Sequence, residues 1–116
     1  MHHVIIGGGS AGVIAAETIR KLAPYDNITI VSDEPEPPYS RMAIPYLLMG
    51  NVRENGTYLR KSPSHLKDLH INWVQAGVKH VDIATKNIVI ISTIYITGLR
   101  SNCVCIYTLL LESKMY

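Results

Sequence analysis

The chain has 116 residues, a formal net charge of +2 and 47% hydrophobic residues. This length suits one small domain with its own core and is too short for two nucleotide-binding domains. The charge forms no basic stripe, so nucleic-acid binding has little support. The first motif begins at residue 7, before any apolar leader of a secretory signal. The sequence therefore predicts a cytoplasmic location.

The first forty residues predict a strand, a glycine turn, a helix and a second strand in succession. Residues 3–6 are apolar and lead directly into Gly7-Gly8-Gly9-Ser10-Ala11-Gly12. A helical pattern follows to Leu22, and residues 28–31 form a second apolar run just before Asp33. This order is the layout of a dinucleotide-binding βαβ unit. The alternative interpretation is a plain strand-turn-helix that binds no ligand.

Each glycine of the motif has a separate physical purpose. Gly7 permits a sharp turn off the strand, Gly9 leaves room for a pyrophosphate, and Gly12 allows close packing of the helix. The helix N-terminus presents unpaired N–H groups and the positive end of the helix dipole. Asp33 lies 21 residues beyond Gly12, near the spacing of about 20 expected for a ribose-binding acid.

The predicted helix is amphipathic, with one side packed on the sheet. Ala16 is small and suits tight packing. The side assigned to the core carries Ala11, Ile14, Ala15, Thr18, Ile19 and Leu22. The opposite side carries Glu17, Arg20 and Lys21.

The segment after Asp33 predicts a stiff extended loop, because three prolines fall within residues 35–38. A simple nucleotide-binding domain enters its next helix sooner, so the loop indicates a variant of the fold. Residues 42–49 predict a short helix broken by Pro45 and stopped by Gly50. Residues 51–62 are expected to be irregular or to form a brief strand near residues 58–59.

The remaining sequence predicts one more helix and three strands. Ser62 and Pro63 suit the cap and first position of a helix that ends near Leu69. His65 and His70 are expected to be surface residues of this helix. The strands expected after it are residues 71–74, 78–82 and 86–91. The five histidines show no metal-ligand spacing, and Cys103 and Cys105 are interpreted as two small apolar residues.

With these residues in view, the chain resembles the FAD-binding N-terminal part of the pyridine nucleotide-disulfide oxidoreductase superfamily. The branch it resembles contains rubredoxin and ferredoxin reductases, the flavin part of nitrite reductase, and apoptosis-inducing factor. The glycine turn, residues 28–41 and residues 71–90 carry the likeness, which spans about residues 3–91. The resemblance implies an α/β fold: a partial Rossmann-like FAD-binding domain with a parallel sheet, helices and a small β-meander.

The same resemblance implies the cofactor FAD and its contacts. Asp33 and Glu34 would hold the adenosine ribose, although one acid is enough for that role. Arg41 would reach the FAD phosphates or the flavin side, the alternative being a solvated loop charge. Val78 would meet the adenine through its backbone. The FAD pyrophosphate would be cradled by Gly7, Gly9, Ser10, Ala11 and Gly12.

Two residues depart from the family pattern near the loop. Met42 stands where several branches carry a redox cysteine, which argues against a peroxidase or a disulfide reductase using that thiol. Tyr46 stands where electron-transfer reductases often have a lysine, which weakens the flavin contact implied there.

The chain is divided into an incomplete FAD-binding domain at residues 1–91 and a divergent tail at residues 92–116. Thr97-Gly98 resembles part of the family's next segment but comes too early. The tail is poor in charge, which suggests a frameshift or truncation. Arg100 and Asn102 interrupt its apolar runs, so a membrane span is not expected. The tail is compatible with pairing as strands or with an aggregation-prone edge.

Two classes of function follow from these patterns. The first is an FAD-dependent NAD(P)H oxidoreductase that passes electrons through flavin to an acceptor. This chain has no second glycine motif, so turnover would need a missing domain or partner chain to bring NAD(P)H to the flavin. The second is a non-catalytic module that binds FAD or NAD, or an inactive remnant. No catalytic residue and no metal ligand are assigned.

Overall fold

The computed structural model describes residues 1–91 and 103–107. The predicted strand-helix-strand order is confirmed at the N-terminus, with α/β elements continuing along the chain. In chain order the helices and strands are β1 (His2–Ile6), α1 (Ser10–Leu22), β2 (Asn27–Ser32), α2 (Ile44–Leu48), α3 (His65–Asp68), β3 (Ile71–Gln75), β4 (Gly77–Asp82), β5 (Asn87–Ile91) and β6 (Cys103–Tyr107).

Four strands form one parallel sheet in the order β3-β2-β1-β6. Ile30 of β2 lies between Ile5 of β1 and Trp73 of β3 in the register. On the other side of β1, Val4 is paired with Cys105 of β6. The parallel pairing of β1 and β2 across α1 confirms the Rossmann-like α/β fold.

The sheet has an apolar core on both faces, because side chains alternate along each strand. One face packs against α1 and α3, and the other packs beneath an antiparallel ribbon of β4 and β5. The buried residues of the helix-covered face are Ile5, Ala16, Ile28, Ile30 and Ile71. Those of the ribbon-covered face are Val4, Ile6, Val31, Ala76 and Ile88.

The predicted core side of α1 is only partly correct, since Ala15 and Ile19 pack against the core but Ile14 and Leu22 do not. Its buried residues are Gly12, Val13 and Ala16, whereas Ile14 is 57% and Leu22 is 82% exposed. The helix turns its smallest residues toward the sheet, because a glycine and an alanine four positions apart let two backbones approach closely. Apolar periodicity alone did not reveal that rotation.

Two of the three charged residues of α1, Glu17 and Arg20, are half-buried, whereas Lys21 is exposed as predicted. Arg20 donates hydrogen bonds to the carbonyls of Leu69 and His70, each at 2.8 Å, and to that of Asp26 at 2.9 Å. These bonds tie the end of α1 to the starts of β2 and β3. Glu17 likewise faces inward, since only 16% of its side chain is exposed.

Glu17 forms a network that holds the segment before α3 against α1. Arg60 donates two hydrogen bonds to its carboxylate, at 2.8 and 2.7 Å. His65 lies 2.9 Å from the same carboxylate. His65 is therefore half-buried and bonded, which corrects its expected place at the open surface. The Arg60 hydrogen bond is the main cause of a lowered pKa of Glu17.

This network predicts a pH dependence of stability. Because the pKa of Glu17 is lowered in the folded chain, its contribution is present above the ordinary value of 4.5 and is lost as pH falls through the folded value. Glu17→Gln should lower the free energy of unfolding at pH 7 by about 1 kcal/mol and flatten its decline below pH 4.5. Urea unfolding from pH 3 to 7 measures this. Glu36→Gln, at an exposed loop carboxylate, is the control and should not change the decline in the free energy of unfolding at acid pH. Identical pH dependences for the two variants would contradict the role assigned to Glu17.

The proline-rich segment after β2 is an irregular loop, as predicted. It pairs with the region near Tyr58 only through an isolated bridge to Tyr39. A hydrogen bond from the Leu59 N–H to the Pro38 carbonyl, at 2.8 Å, closes this contact. The brief strand expected at residues 58–59 is thus reduced to a single bridge.

Two predicted helices differ in how they begin. Pro45 lies in the first turn of α2 and does not break it, because a proline there forfeits no helical hydrogen bond. Gly50, with φ of 76°, follows the end of α2 as predicted. The next helix, α3, begins at His65 and not at Pro63. The hydroxyl of Ser62, the predicted cap, pairs with that of Ser64 at 3.0 Å.

The antiparallel ribbon of β4 and β5 is confirmed, with Val81 opposite Ile88. Asp82 accepts the N–H groups of Ala84 and Thr85 and so fixes the turn between them. A third strand of the implied β-meander is not present within residues 77–91. Thr97-Gly98 lies outside the described residues. Among the helices that the structure describes, none has the length and apolarity to cross a membrane.

Candidate functional site

The glycine turn lies at the carboxyl end of β1, where the chain leaves the sheet for α1. Gly7 has φ of 107°, a backbone region that side chains disfavour. Its N–H donates to the carbonyl of Val31 at 2.8 Å, which keeps the turn attached to β2. The turn is therefore held at the edge where parallel α/β sheets bind ligands.

Two glycines of the turn are in close contact with their neighbours. A Cβ on Gly12 would lie 2.1 Å from the carbonyl oxygen of Gly7, so this glycine permits the close packing of α1 that the sequence predicted. A Cβ on Gly8 would lie 2.2 Å from Cη2 of Trp73. The backbone of the turn is thus packed between α1 and an aromatic ring on β3.

The start of α1 carries no side-chain cap. Gly9 is the N-cap residue, with φ of −75° and ψ of −173°, and its carbonyl accepts the N–H of Val13 at 3.1 Å. Ser10 and Ala11 follow in the first turn and are exposed. First-turn N–H groups have no partner within a helix, and no acidic residue lies in this turn. The arrangement suits a bound anion.

A cleft of about 290 Å³ opens beside the turn, at the carboxyl ends of β1 and β2. It brings together three residues predicted for nucleotide binding, namely Gly7, Asp33 and Val78. Asp33 is exposed and Val78 is half-buried. Ser32, Ala76 and Gly77 complete its walls. We call this the adenosine cleft, because its residues can receive a base and a sugar.

A second, narrower cleft of about 20 Å³ lies on the other side of Ser32, which lines both. It contains Gly8 and Gly9 together with Glu34 and Arg41. Arg41 donates a hydrogen bond from Nη2 to Oε1 of Glu34 at 2.8 Å. Two of the three charged residues predicted to contact FAD are therefore bonded to each other.

Sequence reasoning missed three residues of this region. The ring of Trp73 packs against Gly8, and Ser32 lines both clefts. Tyr39 lines the narrow cleft, and its hydrogen bond with Glu34 is the main cause of a raised pKa of Tyr39. These contacts depend on the strand register and on the path of the loop, which no local signal in the sequence marks.

The sequence is similar to known proteins over most of its length. Residues 1–103 match the pyridine nucleotide-disulphide oxidoreductase family. The chain belongs to this family. The family resemblance noted from the glycine turn and the proline loop is thus confirmed.

Individual relatives agree with the family assignment. An NADH oxidase of Methanocaldococcus jannaschii is 32% identical over 87 residues, which are 75% of this chain and 19% of that protein. A NAD-dependent persulfide reductase from A. fulgidus has a similar fold, with a TM-score of 0.72 and 28% identity over 80% of this chain and 18% of that one.

A second solved structure supports the fold alone. It is a putidaredoxin reductase in covalent complex with putidaredoxin, with a TM-score of 0.71 and 24% identity over 77% of this chain and 22% of that one. This chain therefore spans about a fifth of the length of the family members it matches.

The residues present fit the adenosine part of a dinucleotide. The adenosine cleft offers a carboxylate for sugar hydroxyls and the backbone of β4 for a base edge. The N-terminus of α1 supplies N–H groups for phosphate oxygens. Beside Gly8 and Gly9, the Glu34–Arg41 ion pair lines the narrow cleft.

Proposed function

We propose that this chain is the FAD-binding part of an FAD-dependent NAD(P)H oxidoreductase, which moves electrons from NAD(P)H through flavin to an acceptor. The observation that carries the proposal is the adenosine cleft, where Gly7, Asp33 and Val78 meet beside the start of α1. The names of two relatives, an NADH oxidase and a NAD-dependent persulfide reductase, support the same chemistry.

The proposed contacts follow the predicted residues. Asp33 accepts hydrogen bonds from the ribose hydroxyls, and the backbone of Val78 contacts the adenine. The bound flavin supplies the electron exchange, whereas the residues of this chain bind and orient it. The pyrophosphate contacts are assigned to Gly7, Gly9, Ser10, Ala11 and Gly12.

Glu34 and Arg41 act together in this proposal. Arg41 turns its guanidinium to the FAD phosphates, a task that suits its planar fork of donors. Glu34, at 2.8 Å from that guanidinium, orients it and contributes a second carboxylate near the ribose. A phosphate approaching Arg41 competes with Glu34 for the same donors.

The whole activity belongs to a longer assembly. Hydride transfer requires NAD(P)H and flavin to be held face to face. We therefore propose that NAD(P)H and the electron acceptor are engaged only when another domain or a partner chain completes the site. We also propose, from the sequence, a division at residue 91, a frameshift or truncation of the tail, and a cytoplasmic location.

Titration with FAD and ADP-ribose tests the proposed binding. The wild-type chain should bind both, and Asp33→Ala should weaken ADP-ribose binding by about 1–3 kcal/mol, because the sugar hydroxyls lose a charged hydrogen-bond acceptor. Isothermal titration calorimetry measures the difference. Glu34→Gln is the matched control; if it has the larger effect, the ribose role belongs to Glu34.

Absorption spectroscopy separates the two classes of function. A chain that takes up FAD and shows flavin bands that NADH does not bleach would act as a binding module in isolation. Bleaching by NADH would show that the chain completes a hydride-transfer site itself. Failure to bind FAD, ADP-ribose or NAD would contradict the proposal and favour an inactive remnant.

A further inference from the structure

Helix α2 is apolar on every side, yet none of its residues, all of which the structure describes, is buried. Ile44, Tyr46 and Leu48 are 38%, 54% and 82% exposed. The sequence has no charged residue from position 42 to position 52. A helix without a polar face is normally buried, and so short a helix depends on packing partners for its stability. We therefore expect another surface to cover α2.

The exposed apolar surface extends to the residues on either side of α2. Met42 is 85% and Met49 is 63% exposed. We call these two residues, with Ile44, Tyr46 and Leu48, the α2 patch. Its side chains expose on the order of 600 Å², taking about 200 Å² for a large side chain that is fully exposed. An apolar patch of this size is typical of a protein interaction site.

A cleft of about 260 Å³ is formed mainly by residues 37–66, the segment that also contains α2. We call it the lateral cleft. Its apolar wall is anchored in the core, because Leu66 packs against the cluster under the sheet. The loss of one leucine side chain from a core leaves a cavity of about 150 Å³, so the lateral cleft has room for such a side chain. The apolar residues that line it are Val13, Pro37, Pro38, Tyr58, Pro63 and Leu66.

The cations that line the lateral cleft are offset by carboxylates. Arg60 donates two hydrogen bonds to Glu17, at 2.8 and 2.7 Å. The carboxylates of Glu36 and Glu54 lie beside the aromatic wall of the cleft and offset Lys61. Because the charges are balanced, the apolar wall is complementary to a neutral apolar group.

We propose that this chain forms a two-fold dimer in which Leu48 of each copy enters the lateral cleft of the other copy. A two-fold contact is reciprocal, so one chain must carry both the inserted side chain and the cleft that receives it. The N–H groups of Asn51 and Val52 donate to the Tyr46 carbonyl, at 2.9 and 3.4 Å, and hold α2 on the segment that forms the cleft. Both surfaces can therefore take part in one contact.

Area and charge favour a second copy as the occupant. Two α2 patches would bury on the order of 1,200 Å² together, which reaches the range of stable interfaces before the cleft walls are added. An uncharged patch that meets a cleft of balanced charge brings no like charges together. The dimer does not depend on FAD binding, because Leu48 is not among the proposed FAD contacts.

Sedimentation velocity of the complete 116-residue chain, from about 5 to about 200 µM, tests the dimer. We expect a reversible change from monomer to dimer as the concentration rises. Leu48→Asp should weaken dimerisation at least about tenfold, because a carboxylate would enter an apolar cleft. Leu22→Asp is the matched control, since Leu22 is also 82% exposed but lies on α1. It should dimerise like the wild type.

A second variant tests the cleft. Ser62 lines the cleft and is exposed, so Ser62→Trp should block the cleft without disturbing the core. Ser62→Trp and Leu48→Asp should each be monomeric alone. An equimolar mixture of the two should form a heterodimer, because Leu48 of the Ser62→Trp chain can still enter the open cleft of the Leu48→Asp chain.

Several outcomes would overturn the proposal. These are a wild type that stays monomeric at about 200 µM, equal effects of Leu48→Asp and Leu22→Asp, and Ser62→Trp dimerising like the wild type. A mixture without heterodimer would also overturn it, as would a mass that grows beyond the dimer, since a two-fold contact is closed. Circular dichroism verifies that each variant is folded. FAD titration is a separate measurement, so its failure would leave these outcomes unchanged.

Discussion

Replacing Gly12 by alanine is expected to lower the free energy of unfolding by about 3 kcal/mol or more, the upper part of the range for overpacked sites. The added Cβ would lie 2.1 Å from the carbonyl oxygen of Gly7. This oxygen belongs to a backbone that is bonded to Val31 through the Gly7 N–H, so the turn cannot move aside without losing its attachment to β2. Chemical denaturation of the complete chain measures the loss.

Two other glycines provide controls for Gly12→Ala. A Cβ on Gly56 would be 3.5 Å from its nearest neighbour, Val52, so Gly56→Ala should change stability by less than about 0.5 kcal/mol. Gly8→Ala meets the far end of the Trp73 side chain, at 2.2 Å. Its cost should be relieved by Trp73→Leu in a double mutant, whereas no side-chain change should relieve Gly12→Ala. A Gly12→Ala chain as stable as Gly56→Ala would contradict the packing argument.

The parts of the fold that the sequence predicts well are those set by local signals. The βαβ unit was predictable because strand runs, a glycine turn and a helical pattern follow one another within residues 3–31. Gly50 likewise marked the end of α2, since its φ of 76° is one that glycine adopts readily. The ribbon of β4 and β5 was predictable as two short strand runs around a short turn.

The rotation of α1 could not be predicted from its apolar periodicity alone. The pattern placed Ile14 and Leu22 inside, but close packing at Gly12 turns them outward. Arg20 and Glu17 point inward because carbonyls and an arginine distant in sequence meet them there. Partners more than forty residues away in sequence do not affect the apolar periodicity of a helix.

The candidate site was predictable residue by residue but not in its arrangement. The sequence named Gly7, Asp33 and Val78 separately, and the sheet brings them to one cleft. It also named Glu34 and Arg41, without indicating that the two would bond to each other at 2.8 Å. That pairing depends on the path of the proline loop. The prolines make the loop stiff, but they do not determine its direction.

Replacing Gly9 by valine is expected to abolish saturable binding of FAD and ADP-ribose while the chain stays folded. Gly9 has φ of −75° and ψ of −173°, an extended conformation that valine adopts readily. The backbone therefore tolerates the substitution, apart from a cap preference of about 1 kcal/mol. The branched side chain would stand at the N-terminus of α1, where the proposal places the diphosphate. Calorimetric titration, with circular dichroism to verify folding, measures the result.

The two glycine variants, Gly12→Ala and Gly9→Val, test different roles of the turn. Gly12→Ala acts through the packing of α1 on the turn, whereas Gly9→Val acts only on a ligand at the helix start. Gly56→Val, in an exposed turn distant from the site in sequence, is the control for valine itself and should bind normally. Undiminished affinity in a folded Gly9→Val chain would mean that the diphosphate does not pass this backbone, and the FAD assignment would then fail at its central contact.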